Sequence, residues 1–528
     1  MKDLTAPQSA EQSYEKFMRS LRVLGLLSIM ILPVFGVHSE SNAELNPIQR
    51  ENMRPGTQEW RLTQPALQRE IEGYASSTSV NRGGRISLFV HTSAPSYRIE
   101  IYRMGWYEGT GARLVSGPLV RPGVTQPMPA MDLHTGLTEC SWKDPYVVTA
   151  GSKSDHEEWV SGVYLAKLTA GVHGAQAYII FIVRDDARPS DFLFQSSVTT
   201  YQAYNNWGGK SLYDFNSTGG RALTVSFNRP YAPSSNPAAA YGNGAGDFVT
   251  NNAVPPTDAS SPSGWEYNMV RWLEREGYDV SYSSNIDTHS NEHLLDIHKG
   301  WLSVGHDEYW TWQMRTHVEA ARDHGVSLAF FSGNVCYWQI RLEPSALTGE
   351  SHRTIVSYKD DALKRDPVAL DGLGNRHLLT VRWRDQPVNR PEESFIGVMY
   401  DGNPVDGDIV ITKPDHWTMS GTDLKLGDRL PRLLGYEADR VFGDAPPGTT
   451  VLAQSPYQFE GQAHLAHMAT YTQSNGATVF AAGTIQWSWG LDDFNAPNLR
   501  VSSINPQVQQ MTRNVLERLR GSPSNHPR

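Results

Sequence analysis

Residues 57–186 of the chain alternate apolar and polar positions with a period of two. In the run 85–93, Ile86, Leu88 and Val90 fall on one side of an extended chain. Similar runs rich in Val, Ile, Tyr and Phe follow, with Gly, Pro and Ser turns between them, at 97–107, 162–170 and 177–185. Short strands with this punctuation predict an antiparallel β-sandwich domain over 57–186.

After residue 186 the pattern changes, and strand-like runs alternate with helix-like ones. Met269, Trp272 and Leu273 fall at helical spacing, which predicts a helix that stops at Gly277. Further helices are predicted at 311–325 and 506–520. The strand-like runs are 192–200, 221–230, 278–284, 300–305, 326–331 and 476–490. This alternation predicts a mainly parallel sheet covered by helices, in an α/β domain over 187–525.

The N-terminus has the pattern of a secretory signal. Lys16, Arg19 and Arg22 precede the apolar run 23–37, and small residues follow at 41–43. Such a run is short for a bilayer span and typical of a signal peptide. We expect a signal peptide over 1–43, a linker over 44–56, and a protein exported to the periplasm or secreted. The alternative is an uncleaved segment that anchors the protein to the membrane.

Composition narrows the functional classes. The 528 residues carry a net charge of −10, which argues against a nucleic-acid partner because such proteins present a basic face. The two cysteines, Cys140 and Cys336, show neither CxxC nor Cys/His zinc spacing, and we expect two free, buried thiols. The fifteen Trp are expected mainly to pack in the core.

Polar side chains follow five of the predicted strands. In open α/β sheets, ligands bind beyond the carboxyl ends of the strands, so these groups predict a binding or catalytic site. They are the loop 201–213, Tyr231, Asn285 with Asp287, His306 with Glu308, and Asn334.

The segment 305–310, GHDEYW, has two interpretations. Asp307 could cap the next helix with Glu308 complementing the helix dipole, or Glu308 and His306 could do chemistry. We interpret Asp307 as the start of the next helix, and Tyr309 and Trp310 as packing residues. Phenolate and carboxylate oxygens in the same region are hard donors, which suit Fe(III) better than zinc or Cu(I).

Several ordered blocks of the sequence resemble a known family. The segments TYQAYNNWGGKSLY, VSFNRPY, RWLEREGYDVSY, VGHDEYWT, FFSGN and LLGYEADR, with IYRMGWYEGTGARLV and WVSGVYLAKL upstream, resemble the large subunit of N,N-dimethylformamidase and its wider family. The resemblance implies a β-sandwich followed by an α/β domain similar to class I glutamine amidotransferases. It also implies a hydrolase of C–N bonds in small amides with a mononuclear non-haem Fe(III).

The resemblance implies roles for individual residues. The iron would be held by Glu308, by Tyr231, and by either Tyr204 or Tyr201, of which we favour Tyr204. It would polarise the amide carbonyl and activate water. The implied catalytic groups are His306 as proton carrier, Asn334 at the developing oxyanion, and Glu437. The family enzyme also uses a small accessory subunit, which this chain could share.

Two other interpretations stay open. The chain could be an exported glycan- or surface-binding protein whose α/β domain is inactive. A cysteine glutaminase would need Cys336 as nucleophile, but the sequence around it, NVCYW, lacks the nucleophile elbow. The sequence leaves the substrate and any homo-oligomer undefined.

Overall fold

The computed structural model describes residues 45–151, 159–172, 174–233, 242–249, 264–370, 372, 374–496 and 500–521. The expected signal peptide at 1–43 lies outside these residues. Within the described ranges, no helix combines the length and apolar character needed to cross a bilayer.

The segment predicted as a linker contains a short helix, α1 (Pro47–Asn52). Asn46 caps it: its side chain accepts a hydrogen bond from the Gln49 backbone amide, and its own backbone amide donates to Gln49 Oε1. The Asn46 side chain also donates to the Gly277 carbonyl at 2.8 Å. The start of the described chain is therefore tied to the α/β part of the protein.

Two packed β-sheets form the predicted sandwich. One sheet has the strand order β1-β3-β6 and the other β2-β8-β7-β4-β5, antiparallel except for the β2–β8 pair. Ile86, Leu88 and Val90 are all buried between the sheets, as their period-two spacing predicts. The strands are β1 (Ile71–Ala75), β2 (Ser79–Asn81), β3 (Arg85–Thr92), β4 (Ser96–Met104), β5 (Ala112–Pro122), β6 (Tyr146–Thr149), β7 (Gly162–Ala170) and β8 (Gln176–Arg184).

The rest of the chain mixes helices with three further groups of strands. These elements are β9 (Phe192–Ser196), α2 (Val198–Tyr204), β10 (Thr224–Ser226), α3 (Glu266–Arg275), β11 (Val280–Ser284), α4 (Asn285–Ser290), β12 (Gly300–His306), β13 (Tyr309–Thr311), α5 (Trp312–Asp323), β14 (Ser327–Gly333), β15 (Trp338–Glu343), β16 (Thr354–Val356), α6 (Ala362–Arg365), α7 (Pro367–Leu370), α8 (Glu393–Ile396), β17 (Met399–Val410), β18 (Arg429–Arg440), β19 (Thr450–Phe459), β20 (Gln462–Thr472), β21 (Thr478–Ala481) and α9 (Pro506–Arg520).

The central sheet has the order β11-β9-β12-β14-β21-β20-β19. Its first five strands are parallel, and the β19–β20 hairpin adds two antiparallel strands. The parallel sheet predicted from the sequence is confirmed for those five strands. Strand β10 belongs instead to a separate sheet, β10-β16-β15-β13, where it pairs antiparallel with β16.

Several predicted strands are shorter than expected. The run 192–200 stops being a strand at Ser196, and α2 takes over. The run 221–230 contributes three strand residues, and 476–490 contributes four before a 3-10 helix at Ile485–Gly490. These segments are buried throughout, and hydropathy alone does not separate a buried strand from a buried helical turn.

The predictions for tryptophan and cysteine are confirmed. All fifteen Trp lie in the described ranges, and none is exposed. Cys140 and Cys336 are free and buried. Burial raises the pKa of the Cys336 thiol well above its ordinary value, so this thiol does not supply a ready nucleophile.

Candidate active site

Glu308, just beyond the carboxyl end of β12, is the centre of a buried oxygen cluster. Its carboxylate is 2% exposed and accepts hydrogen bonds from two phenols. The Tyr204 hydroxyl lies 2.9 Å from Oε2, and the Tyr213 hydroxyl lies 2.8 Å from both Oε1 and Oε2. Two phenol oxygens and one carboxylate therefore converge on one point.

The loop after α2 brings the two tyrosines together. The Leu212 amide donates to the Ala203 carbonyl, and the Asn216 side chain donates to the Tyr204 carbonyl, which folds the loop back on the helix. As a result the rings of Tyr204 and Tyr213 stack with centroids 4.4 Å apart. Both phenols are therefore fixed by the same local fold.

Backbone contacts hold Glu308 itself. Its amide donates to the Thr200 hydroxyl of α2 at 3.0 Å, and its carbonyl accepts from the Trp338 amide at 3.0 Å. The carboxylate is thus positioned by α2 on one side and by β15 on the other.

The prediction that Asp307 starts the next helix is wrong. Asp307 is fully buried and accepts hydrogen bonds from Asn285, Gln195 and Ser303. The strand β13 intervenes before α5, whose cap is Thr311. Asp307 therefore links β9, β12 and α4 through side-chain hydrogen bonds. Tyr309 and Trp310 are fully buried, as the packing interpretation predicted.

His306 lies between two carboxylates. Its Nε2 atom is 3.1 Å from Glu437 Oε2 and 3.3 Å from Glu308 Oε2, which is ion-pair distance, although the angles fall outside those of a hydrogen bond. Burial alone would lower the pKa of His306, but the two carboxylates outweigh it and raise that pKa to about 9. His306 is therefore a protonated imidazole at neutral pH in the metal-free site.

The surroundings of Glu437, on β18, shift its pKa in the opposite direction to that of Glu308. Burial opposes its ionisation, but His306 and the side chains of Asn334 and Asn403 lower its pKa overall. The Asn403 amide donates to Glu437 Oε1 at 2.6 Å. The pKa of Glu308 is raised, because burial and the Glu437 charge together exceed the effect of His306. Of the two carboxyl groups, Glu437 is therefore the one that is kept ionised, and as an anion it can accept a proton.

Asn334 follows β14 with a left-handed backbone, at φ 51°. Its amide donates to Asp439 Oδ1 at 2.9 Å, which fixes the turn. Its side-chain Oδ1 is buried without a hydrogen-bond partner among the described residues. A left-handed non-glycine residue with an unpaired polar atom is typical of a functional site rather than of a packing position.

Lys359 is a functional candidate that the sequence did not reveal. Its Nζ atom lies 3.4 Å from the centroid of the Tyr213 ring and donates to the Leu212 carbonyl at 2.9 Å. Burial lowers the pKa of this lysine to about 7, against the opposing effect of Glu308. It follows β16, which lies outside the parallel sheet, so strand-end reasoning had no signal for it.

The other predicted tyrosines lie elsewhere. The Tyr201 hydroxyl is 3.2 Å from Ser196 Oγ, beside the carboxylate of Glu266. The Tyr231 ring packs edge-on against Tyr201, 6.4 Å between centroids. Tyr231 follows β10, and because β10 belongs to a separate antiparallel sheet, its end does not lead to Glu308. Tyr213 occupies the place that the sequence interpretation gave to Tyr231.

The oxygen cluster fits a hard cation. Two oxygen ligands at about 2.0 Å from a metal and at right angles to each other lie roughly 2.8 Å apart, which is the spacing between these phenols and the carboxylate. Among the described residues, no three His, Cys, Asp or Glu side chains form a metal-binding group, so any metal here would need the tyrosines as donors. Burial and Glu308 keep both phenol pKa values well above normal without a metal.

The fold and the site together define a β-sandwich joined to a mixed α/β region, with a buried tyrosine–glutamate cluster at the edge of its parallel sheet. The sequence from 98 to 500 matches the family model described as N,N-dimethylformamidase beta subunit-like, C-terminal. This match covers well over half of the chain, and the chain belongs to that family. A search of curated proteins found no match.

Proposed function

We propose that the protein is an exported amidohydrolase that cleaves the C–N bond of small linear amides at a mononuclear iron. The iron would be held by Tyr204, Tyr213 and Glu308. The observation that carries the proposal is the convergence of two phenol hydroxyls on one buried carboxylate at 2.8–2.9 Å. Membership of the dimethylformamidase-like family supports it.

The charges around the cluster favour a trivalent cation. Two carboxylates, Glu308 and Glu437, lie beside one imidazolium, His306, and beside Lys359. Loss of the two phenol protons would add two negative charges to this buried region, which is unfavourable without a compensating cation. Fe(III) would supply that charge, and it prefers phenolate and carboxylate oxygens.

The residues beside the cluster can perform the proton transfers of hydrolysis. Bound iron would supply the Lewis acidity that polarises the amide carbonyl. Glu437, kept anionic, accepts a proton from the attacking water as its oxygen bonds to the carbonyl carbon. His306 gives its proton to the leaving nitrogen as the C–N bond breaks. The proton on Glu437 then passes across the 3.1 Å gap to His306, which restores both groups.

Asn334 and Asp439 would position the reacting carbonyl. The Asp439 carboxylate fixes the Asn334 backbone, and the Asn334 side chain lies against Glu437. We assign the Asn334 side-chain amide to the developing oxyanion, where one well-placed donor contributes about 10²–10³ in rate.

The aromatic surroundings suit a small substrate with apolar groups on nitrogen. The Trp265 ring lies 6.4 Å from His306, and Phe215 packs beside Tyr213 while remaining 60% exposed. Tyr337 and Tyr400 form an edge-to-face pair near Glu308 and Glu437. Methyl or other short alkyl substituents would contact these rings, whereas a charged substrate would gain little.

Three further proposals accompany this function. The N-terminal signal pattern supports export, with membrane anchoring if the segment is retained. The words beta subunit in the family description support a small accessory subunit as partner. The five parallel strands of the central sheet support a resemblance of the α/β region to class I glutamine amidotransferases.

Iron content and amide hydrolysis, measured on one preparation, test the proposal. We expect about one iron per chain, a visible phenolate-to-Fe(III) charge-transfer band, and release of ammonia from formamide or dimethylamine from N,N-dimethylformamide. A preparation reconstituted with iron that shows no band and no hydrolysis would contradict it and favour the binding-protein interpretation. That interpretation lacks structural support, since no Trp is exposed as a sugar platform.

A further inference from the structure

A small cavity of about 30 Å³ lies between the sandwich and the α/β region, apart from the Glu308 cluster. Two arginines and a tyrosine, Arg229, Arg353 and Tyr231, are among its polar lining residues, and Ile179, Ile182 and Phe227 are among its apolar ones. A space of this size holds about one water molecule or one monatomic ion.

Arg229 is 1% exposed and has only neutral partners. Its guanidinium donates to the carbonyls of Trp207, Lys210 and Asn205 at 2.7–3.1 Å. Its Nε atom is buried with no hydrogen-bond partner among the described residues. Three of its five N–H groups are therefore paired, and two, including the Nε–H, have no acceptor among the described residues.

Arg353 is 5% exposed and is likewise held by neutral acceptors. It donates to the Asn228 side chain at 2.8 Å and to the Ala75 carbonyl at 2.9 Å. Asn228 in turn donates to Glu139, which is thereby linked to Arg353 through an amide. The exposed Glu350 attracts Arg353 more strongly than Glu139 does, but neither forms an ion pair with it in the described ranges.

This arrangement differs from that of the other buried arginines. Arg103 forms a direct ion pair with Glu274 at 2.8 Å, and Arg271 forms one with Asp492 at 2.9 Å. Neither Arg229 nor Arg353 has such a pair in the described ranges. A guanidinium stays protonated in proteins, and a buried cation without an anion is strongly unfavourable. Burial lowers both pKa values to about 10, in agreement with uncompensated charge.

We propose that the cavity binds one monatomic anion, chloride under ordinary conditions, between Arg229, Arg353 and the Tyr231 hydroxyl. The anion supplies the negative charge that the protein lacks at this position. Because residues of β1 and β8 line one side and residues of the α/β region the other, the bound ion links the two regions. The site is independent of the iron proposal, since none of its residues contacts Glu308 in the described structure.

Bromide replacement tests the proposal directly. Crystals of the full chain grown or soaked in sodium bromide should show an anomalous peak in the cavity. Thermal unfolding should be compared in sodium chloride and sodium gluconate at equal ionic strength. We expect the midpoint to rise by roughly 2–4 °C over a hundredfold increase in chloride, with gluconate having no such effect.

Variants separate this site from a general salt effect. Arg229→Met should abolish the chloride dependence, and Tyr231→Phe should weaken it. Arg500→Met serves as the matched control, because Arg500 is a buried arginine beside Asp493 and away from the cavity, and it should keep the dependence. If Arg229→Met does not fold, the proposal is tested by the bromide peak in the unmodified protein and by the chloride dependence of Tyr231→Phe. Equal midpoints in chloride and gluconate, with no anomalous peak, would overturn the proposal.

Discussion

Glu308 and Glu266 are two fully buried glutamates, each beside tyrosine hydroxyls near the end of a central strand, yet their environments differ. The Glu308 carboxylate accepts hydrogen bonds from Tyr204 and Tyr213, and from no backbone group in the described part of the chain. Glu266 accepts from the Ser197 amide and the Ser196 hydroxyl, with Tyr201 beside it. One carboxylate is held by phenols alone, and the other is fixed to the backbone.

The two glutamates also differ in the charged groups that surround them. Glu308 lies beside a cationic imidazole, a second carboxylate and the Lys359 ammonium. Among the described residues, no Lys, Arg or His forms an ion pair with Glu266, and burial raises its pKa to about 7. The comparison teaches that a buried Tyr–Glu pair does not by itself define a metal site. The two phenol donors and the nearby charges around Glu308 make it the candidate.

Removing the carboxylate charge should give the largest difference between the two clusters. Glu308→Gln should lose iron and lower kcat/KM by roughly a thousandfold or more, because a catalytic metal contributes several kcal/mol to the transition state. Glu266→Gln should keep iron at the level of the unmodified protein. Metal analysis and amide hydrolysis measure both. Iron retained at full occupancy in Glu308→Gln would remove Glu308 from the ligand set.

The proton carriers beside Glu308 give the next largest effect. His306→Gln should lower kcat about 10²–10⁴-fold while leaving iron content and the visible band in place. The matched control is His298→Gln, because His298 is a buried histidine that contacts Ser190, away from the cluster. It should keep full activity. Equal losses in the two variants would show that His306 acts only through folding.

The tyrosines test the ligand set more finely. Tyr213→Phe removes one phenolate, so iron affinity should fall about 10–100-fold and the charge-transfer band should lose much of its intensity. Tyr201→Phe removes a phenol of the same kind beside Glu266 and should leave the band unchanged. Visible spectra during iron titration measure both. A band lost in Tyr201→Phe and kept in Tyr213→Phe would reverse the assignment.

The sequence predicted the site better at strand ends than in loops. His306 ends β12, Glu308 lies two residues beyond it, and Asn334 directly follows β14, so hydropathy together with strand-end reasoning singled out all three. Tyr213 ends the predicted loop 201–213, but its contact with Glu308 depends on how that loop folds back on α2. Lys359 lies on the Tyr213 ring, and its position depends on β16, which pairs with β10 far away in sequence. No local pattern carries that information.

The fold shows the same division. Antiparallel strands and amphipathic helices were predicted because their periodicity is local, and five parallel strands of the central sheet followed from the alternation of elements. The assignment of β10 to a separate sheet depends on pairing with β16, about 130 residues later in the chain. Tyr231 accordingly follows a strand outside the parallel sheet, and its ring lies against that of Tyr201.

The last prediction is on stability and concerns Glu266 alone. Its folded-state pKa of about 7 lies above the ordinary value of 4.5, so the protonated form favours folding. That contribution is complete below about pH 4.5 and is lost as the pH rises through about 7. Glutamine keeps an uncharged acceptor for the Ser196 hydroxyl and the Ser197 amide at every pH. The free energy of unfolding of Glu266→Gln, relative to the unmodified chain, should therefore increase from pH 5 to pH 8, by at most about 3 kcal/mol.

Urea unfolding at the two pH values measures this difference, and the pH 5 values serve as the internal reference. A difference that stays constant across this range would mean that Glu266 is already ionised at pH 5. Its cluster would then resemble that of Glu308 in charge, and the contrast between the two glutamates would rest on geometry alone.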